Sequence, residues 1–410
     1  MVAFHYPPYE GGSGVHRTLK FSKYLPEHGW QPVIVSAHPR AYPSIGTEQL
    51  AEIPGQAIVA RAFALDTGRH LSLRGRYLRF MALPDQWASW WCGGVLAGLK
   101  LVRKYRPGII WSTYPIATAH LVGLTLHRLT GIPWVADFRD SMTEPYYPRD
   151  PLTRRSYVWI ERRVVKYASR LVFTAPSTRT MYLDRYPHVD PGRCVVIPNG
   201  YDEADFTGIE IAPPRDKSNG RPLRLVHAGL IYTDDRDPRA FFLALSRLKR
   251  DGIVGRDSVV FDLRASGSEN YYAAVLKELC IDDTVRLLPA VSHRQALEDC
   301  ARADGLLLFQ AASCNHQIPA KAYEYLRLGK PVLALTPIEG DTAKLFLEIG
   351  GATIVDLACM EDIYKALPRF VSLLGNGHHD LPNPKRASRY SRKYQTSQLS
   401  DCLSRVVSRE

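Results

Sequence analysis

Cysteine is sparse in this chain and never grouped. The seven in 410 residues (Cys92, Cys194, Cys280, Cys300, Cys314, Cys359 and Cys402) form no CxxC spacing. That argues against a disulfide frame or a zinc site and points to reduced thiols in a cytoplasm. Internal repeats and low-complexity tracts are also missing. One uncharged run, Gly108 to Leu126, reaches the length of a bilayer span. Ser112, Thr113, Pro115, Thr118 and His120 interrupt it, and Pro115 would break a helix in its middle. A buried strand over Ile109–Thr113, then a helix from Pro115 to about Leu129, fits better. Nothing in the opening Val2-Ala-Phe-His-Tyr-Pro-Pro8 reads as a secretory leader. A very short first strand is expected there.

Complete nucleotide fingerprints are lacking as well. Gly11-Gly12-Ser13-Gly14 stands between a first strand and a helix beginning near Val15, where glycines allow close backbone approach and a helix N-terminus favours phosphate. A dinucleotide site would place a third glycine at Arg17 and an acid where Ala37-His38 stand, so NAD binding is disfavoured. A P-loop would continue Gly-Lys-Ser/Thr, and Val15 follows Gly14 instead. The thirteen histidines are scattered without metal spacing, and no DxD sits at a convincing strand end. No metal and no separate cofactor are expected. His5 and His16 fall near the expected cleft, and His120 reads as a packed helix residue.

What is present describes a soluble globular protein: 45% hydrophobic and 23% charged residues, in a chain too long for one ordinary core. The formal charge of +12 favours anionic partners. Strand-like and helix-like segments alternate throughout. The fold class is therefore α/β, with two Rossmann-like, doubly wound parallel-sheet domains facing a cleft. The expected division is 1–205 for the first domain, 206–221 for a linker and 222–384 for the second. The basic segment 385–410 reads equally as a helix returning to the first domain or as a solvated tail.

Ligands of such sheets bind outside the strand carboxyl ends, so candidates are sought after strands. Val135-Ala-Asp-Phe-Arg-Asp140 ends abruptly in Asp137, Arg139 and Asp140, charges that are costly there unless used or paired with one another. In Ile231-Tyr-Thr-Asp-Asp-Arg-Asp-Pro238, Arg236 could clamp a diphosphate, or be neutralised by Asp234, Asp235 and Asp237. Pro289-Ala290-Val-Ser292 could offer backbone groups to a nucleobase. In Ile318 to Ala334, Pro319 and Gly329 frame a helix. There Lys321 and Glu324 share one face, offering a cation for phosphate and an acceptor for ribose, or simply an exposed ion pair. Arg69 to Trp91 interleaves arginines with Trp87, Trp90 and Trp91. That pattern suits anionic lipid, or a core of tryptophans beneath solvated arginines.

Five segments together resemble GT-B glycosyltransferases close to family 4 of the retaining enzymes. They are Gly11-Gly-Ser-Gly-Val-His16, Leu25-Pro-Glu-His-Gly29, Trp134-Val-Ala-Asp-Phe-Arg-Asp140, Val196-Ile-Pro-Asn-Gly-Tyr-Asp202, and Ile318 to Pro331. The resemblance implies that Gly11, Gly12 and Gly14 approach the donor diphosphate. It implies that Arg236 and Lys321 neutralise that diphosphate and that Glu324 binds the ribose. Two positions depart from the family pattern. His316 stands eight residues before Glu324, where many members carry a second glutamate, and Arg139 stands where a histidine is common.

The resulting reading is a cytoplasmic hexosyltransferase, with Lys321, Arg236, Arg139 and Asp137 as candidate catalytic residues. Gly11, Gly12, Gly14, Lys321, Glu324, His316 and Ala290 are candidate donor contacts. The donor would be a nucleoside diphosphate sugar. The acceptor would be a saccharide or lipid-linked saccharide of cell-surface polysaccharide or glycolipid assembly, with retention, and with contact to the inner face of a membrane left open. A nucleotide-sugar epimerase of the same architecture and a non-catalytic GT-B-like scaffold are the alternatives. Nucleic acid is not an expected partner.

Overall fold

The computed structural model describes residues 1–11, 14–213, 220–232 and 236–408. The chain divides into two compact units, one of Met1–Asn199 with Arg392–Glu410, the other of Gly200–Ser391.

The first unit carries β1 (Val33–Ala37), β2 (Ile58–Ala62), β3 (Ile110–Thr113), β4 (Trp134–Phe138), β5 (Arg170–Phe173) and β6 (Cys194–Val196). All named pairings are parallel, in the orders β1-β2 and β3-β4-β5-β6. The short first strand shrinks to Val2, which bridges Val35 of β1 on one side and Ser112 of β3 on the other. The strand order reverses at that bridge. Every residue of β3, β4 and β5 is buried, as expected of a parallel sheet covered on both faces. The covering helices are α1 (Gly14–Tyr24), α2 (Trp90–Tyr105), α3 (Ala117–Thr130), α4 (Pro151–Tyr167) and α5 (Pro176–Arg185). The uncharged run beginning at Gly108 resolves into β3 and α3, and no described helix is long and apolar enough to cross a membrane.

The second unit carries β7 (Leu223–Ala228), β8 (Val259–Arg264), β9 (Val285–Leu288), β10 (Gly305–Phe309), β11 (Val332–Leu335) and β12 (Ala352–Val355). Its sheet is parallel in the order β12-β11-β10-β7-β8-β9, a doubly wound arrangement that reverses between β7 and β10. Its helices are α6 (Arg239–Arg250), α7 (Glu269–Glu278), α8 (His293–Ala301), α9 (Ala320–Leu328), α10 (Asp341–Ile349) and α11 (Met360–Gly375). Ser292 starts α8 by accepting a hydrogen bond from the Gln295 N–H, a common helix N-cap.

Residues 214–219 of the expected linker lie outside the described residues. Its start does not hang free. Phe206 is buried with Tyr201 and Leu297, and the Ala212 N–H donates to Ala301 O at 3.0 Å, so this stretch packs onto the second unit. The basic C-terminal segment forms α12 (Arg392–Val407) in the first unit. Leu399, Cys402, Leu403 and Val406 recur at helical spacing and pack with Phe21, Leu25 and Trp111.

A buried ion pair organises the first unit. Arg17 of α1 donates from Nη2 to Asp137 Oδ1 at 2.7 Å and from Nε to Oδ2 at 3.0 Å. It also donates to the carbonyls of Ile197 and Pro198, each at 3.0 Å. Thr113 Oγ1 completes the carboxylate at 2.7 Å. One guanidinium thus joins α1, the end of β4 and the chain leaving β6. Asp137 is fully buried, and its oxygens are taken up by Arg17 and Thr113. Through Arg17, its bonds tie α1, the end of β4 and the chain after β6 together, a scaffold role. Removing one partner of a buried pair typically costs about 3–5 kcal/mol. Asp137→Ala should lower the free energy of urea unfolding by that amount, and an unchanged midpoint would contradict the role given to the pair.

Candidate active site

At the carboxyl ends of β7 and β10, where the second sheet reverses, several polar side chains meet. His227, near the end of β7, is fully buried. Its Nδ1 lies 2.8 Å from Leu307 O, and a carbonyl only accepts, so Nδ1 carries the proton. Nε2 is then an acceptor, and it lies 2.9 Å from Lys321 Nζ. Burial, together with the charge of Lys321, holds His227 well below its ordinary pKa, so it stays neutral and can accept from the lysine.

Lys321 stands in the first turn of α9. That helix begins after Pro319 and ends at Gly329, whose φ of 65° is left-handed. Ala322, Tyr323, Tyr325, Leu326 and Leu328 form its buried face. Tyr325 Oη accepts from the Ala228 N–H at 3.2 Å, a second tie between α9 and β7. Burial lowers the Lys321 pKa to about 7, with Arg236 adding to the effect and Glu324 opposing it. Arg236 donates from Nε to Gln310 Oε1 at 3.2 Å, just past β10. Two cations are thus tied to the ends of neighbouring strands, Lys321 through His227 and Arg236 through Gln310, and an anion would relieve their like charge.

Asp237 pairs with Arg239 through a 2.5 Å contact rather than with Arg236; Asp234 and Asp235 lie outside the described residues. Glu324, one turn after Lys321, has its Oε1 3.0 Å from His293 Nε2 at the start of α8. His316 is partly buried in the loop before α9, with Nε2 3.4 Å from Gln317 Nε2. Ala290 is exposed in the loop after β9. Lys321, Arg236 and Glu324 therefore belong to one constellation. His227, Gln310 and His293 join it unforeseen, although a lone histidine inside the apolar strand Leu223–Ala228 was a visible signal.

In the first unit, Gly11 and Gly14 flank Gly12, which lies outside the described residues. Arg139 pairs with Asp140 at 3.1 Å. A Cβ on Gly14 would stand 2.5 Å from Arg139 Nη1 and 2.7 Å from His5 Nδ1. Glycine is needed there for close approach. His5 Nδ1 is buried, with no hydrogen-bond partner among the described residues. Burial, helped by Arg139, lowers the His5 pKa to about 3. His16 is partly exposed in the first turn of α1. His120 is fully buried, with Nδ1 2.8 Å from Ser112 Oγ, so it is part of the core. Trp87 and Trp90 also pack in the core, while Trp91 is exposed.

Gly229 follows β7 with φ 111°, and a Cβ there would stand 3.1 Å from Lys321 Nζ. Gly229→Ala should therefore displace Lys321 and lower stability by about 1–3 kcal/mol, read by thermal or urea unfolding. An unchanged transition would contradict the packing described.

Residues 11–200 match the family described as the glycosyl transferase 4-like domain. The candidate residues of the second unit lie outside that match. No curated protein matches the chain by sequence. Among solved structures, sucrose-phosphate synthase from Thermosynechococcus elongatus is similar at 14% identity and TM-score 0.67, over 100% of this chain and 96% of that one. Anabaena HepE, solved with UDP and glucose, is similar at 12% and 0.64, over 98% and 99%. WaaG, a glycosyltransferase involved in lipopolysaccharide biosynthesis, is similar at 13% and 0.61, over 98% and 99%. At these identities the likeness is one of fold.

Proposed function

We propose that this chain, a glycosyltransferase of the GT-B type with a glycosyl transferase 4-like domain over residues 11–200, binds a nucleoside diphosphate sugar in its second unit. The sugar then passes to a hydroxyl of an acceptor held by the first unit. One observation carries the donor assignment: hydrogen bonds to His227 and Gln310 hold Lys321 and Arg236 at the ends of adjacent strands β7 and β10, where the second sheet reverses. Side-chain cations there would neutralise the diphosphate and stabilise it as it departs. Glu324 would accept from the ribose hydroxyls, exchanging its contact with His293.

His227 has a positioning role. By accepting from Lys321 Nζ it fixes the ammonium in place before the anion arrives. Support for a uridine donor comes from HepE, which was solved with UDP and with UDP-glucose. WaaG's part in lipopolysaccharide biosynthesis supports an acceptor of the glycolipid or polysaccharide class. Retention at the anomeric carbon is part of the proposal through the family resemblance. The anomeric proton of the product, followed by NMR, tests it.

The direct test is thermal unfolding with UDP, GDP and other nucleoside diphosphates, since a ligand selective for the native state raises its stability. At least one should raise the melting temperature, and no shift with any of them would remove the donor assignment. Losing the hydrogen bonds of one carboxylate costs about 1.5–3 kcal/mol. Glu324→Ala should therefore weaken donor binding by about 10-fold or more, measured by calorimetry.

The Lys321 amine sets a pH dependence. Its pKa is lowered to about 7 in the free protein, and a bound diphosphate would raise it again by supplying an opposite charge. Below about 7 the amine is charged with or without ligand, so affinity is level. Above it, binding takes up a proton, and affinity should fall by up to about 10-fold per pH unit. A nucleoside diphosphate sugar, whose phosphates keep their charges in this range, is the right probe. A flat profile from neutral to alkaline pH would argue against Lys321 as a phosphate contact.

A further inference from the structure

We infer that the outer face of α4, with the neighbouring stretches 73–80 and 144–150, is a docking surface for an anionic lipid bilayer. Helix α4 has one acid, Glu161, and it faces inward. Glu161 is fully buried and accepts from Arg185, Thr143, Tyr182 and Tyr186. Outward stand Arg155, Trp159, Arg162, Arg163 and Lys166, all exposed and spaced to share one side of the helix. The Arg163 guanidinium lies over the Trp159 ring, 5.1 Å from its centroid. No acid of α4 itself stands on that side of the helix; the adjoining stretch 144–150 contributes Glu144 and Asp150, the latter paired with Arg79.

The adjoining stretches continue the surface. An Arg79–Asp150 ion pair joins residues 73–80 to the start of α4. Arg154 Nη1 donates to Glu144 O at 2.6 Å and to Tyr147 O at 2.8 Å, fastening the second loop to the same helix. From Thr67 to Pro84 the sequence has three arginines after Arg69 and no acid. Apolar side chains project among these cations: Leu73 is 80% exposed, Phe80 69%, Tyr146 88% and Trp159 50%.

The combination selects the occupant. Cations alone would suit any anionic partner. Large apolar side chains standing outward among them need an apolar medium directly beneath the negative charges. Anionic headgroups above acyl chains offer both at one depth, with aromatic rings at the interface and arginines at the phosphates. The expected contact lies mainly on α4 and 73–80, whereas Trp87 and Trp90 of the Arg69–Trp91 stretch point into the core. The inference rests on the first unit's surface and not on the donor assignment, so either can fail alone.

Co-sedimentation of the full chain with vesicles tests it. Vesicles of phosphatidylcholine with about one-third phosphatidylglycerol should bind the protein, pure phosphatidylcholine should not, and high salt should weaken the binding. An arginine near such a surface contributes about 1 kcal/mol. The combined Arg155→Gln, Arg162→Gln, Arg163→Gln variant should therefore bind about 100-fold more weakly. Phe80→Ser with Trp159→Ser should weaken binding while leaving its salt dependence in place. All five side chains are exposed, and an unchanged melting temperature checks that each variant is folded. Equal binding to both vesicle types, no binding to either, or full binding by folded variants would overturn the assignment. Retention of the wild-type protein by nucleic acid or an acidic protein without vesicle binding would also do so.

Discussion

Parallel strand pairing is the constraint from which the rest of this protein follows. Parallel neighbours all end on the same side of a sheet, so the loops leaving them collect along one edge. Where the strand order reverses, the connections diverge and leave room between them. The second unit reverses between β7 and β10, and His227, Gln310, Arg236 and Lys321 meet there. The first unit reverses at Val2, and His5, Gly14 and Arg139 gather beyond it. Apolar residues dominate both sheets, with Asp262 of β8 buried between Arg224 and Arg286 as a mid-strand exception.

The buried ion pair of the first unit and the candidate site of the second handle charge differently. In the first, Arg17 and Asp137 satisfy each other, with two carbonyls and a threonine hydroxyl using what remains. This arrangement is closed and structural. In the second, Lys321 and Arg236 are of one sign, with a neutral histidine behind the lysine and a glutamine beside the arginine. Glu324, one turn from Lys321, is engaged with His293, and an anion would relieve the two like charges. A positive outer surface on α4 repeats the theme at the solvent boundary, where the acid of the helix has turned inward to Arg185.

Much of the architecture could be read locally. Alternating strand and helix patterns foretold two parallel sheets, because a parallel pair needs a crossover helix. Pro319 and Gly329 framed α9, since proline suits the start of a helix and glycine the left-handed residue at its end. The Lys321 and Glu324 spacing placed both on one side of that helix. Boundaries were less legible. Residues 206–213 looked like linker because they lack periodicity, yet Phe206 and the Ala212–Ala301 hydrogen bond seat them on the second unit. The basic tail was ambiguous because its apolar residues are few, and only packing against Phe21 and Trp111 turns them into a buried stripe.

Local chemistry determined the elements, the positive charge and the candidate cations, because propensity, turn residues and helical spacing act over a few residues. Tertiary structure alone decided which polar groups are partners. Arg17 and Asp137 are 120 positions apart, and His227 and Lys321 are 94 apart. Nothing in the neighbourhood of either member announces the other. Asp137 read as an active-site acid because a charge at a strand end needs a reason. The reason was a guanidinium from α1, which the fold had to deliver before it could be recognised.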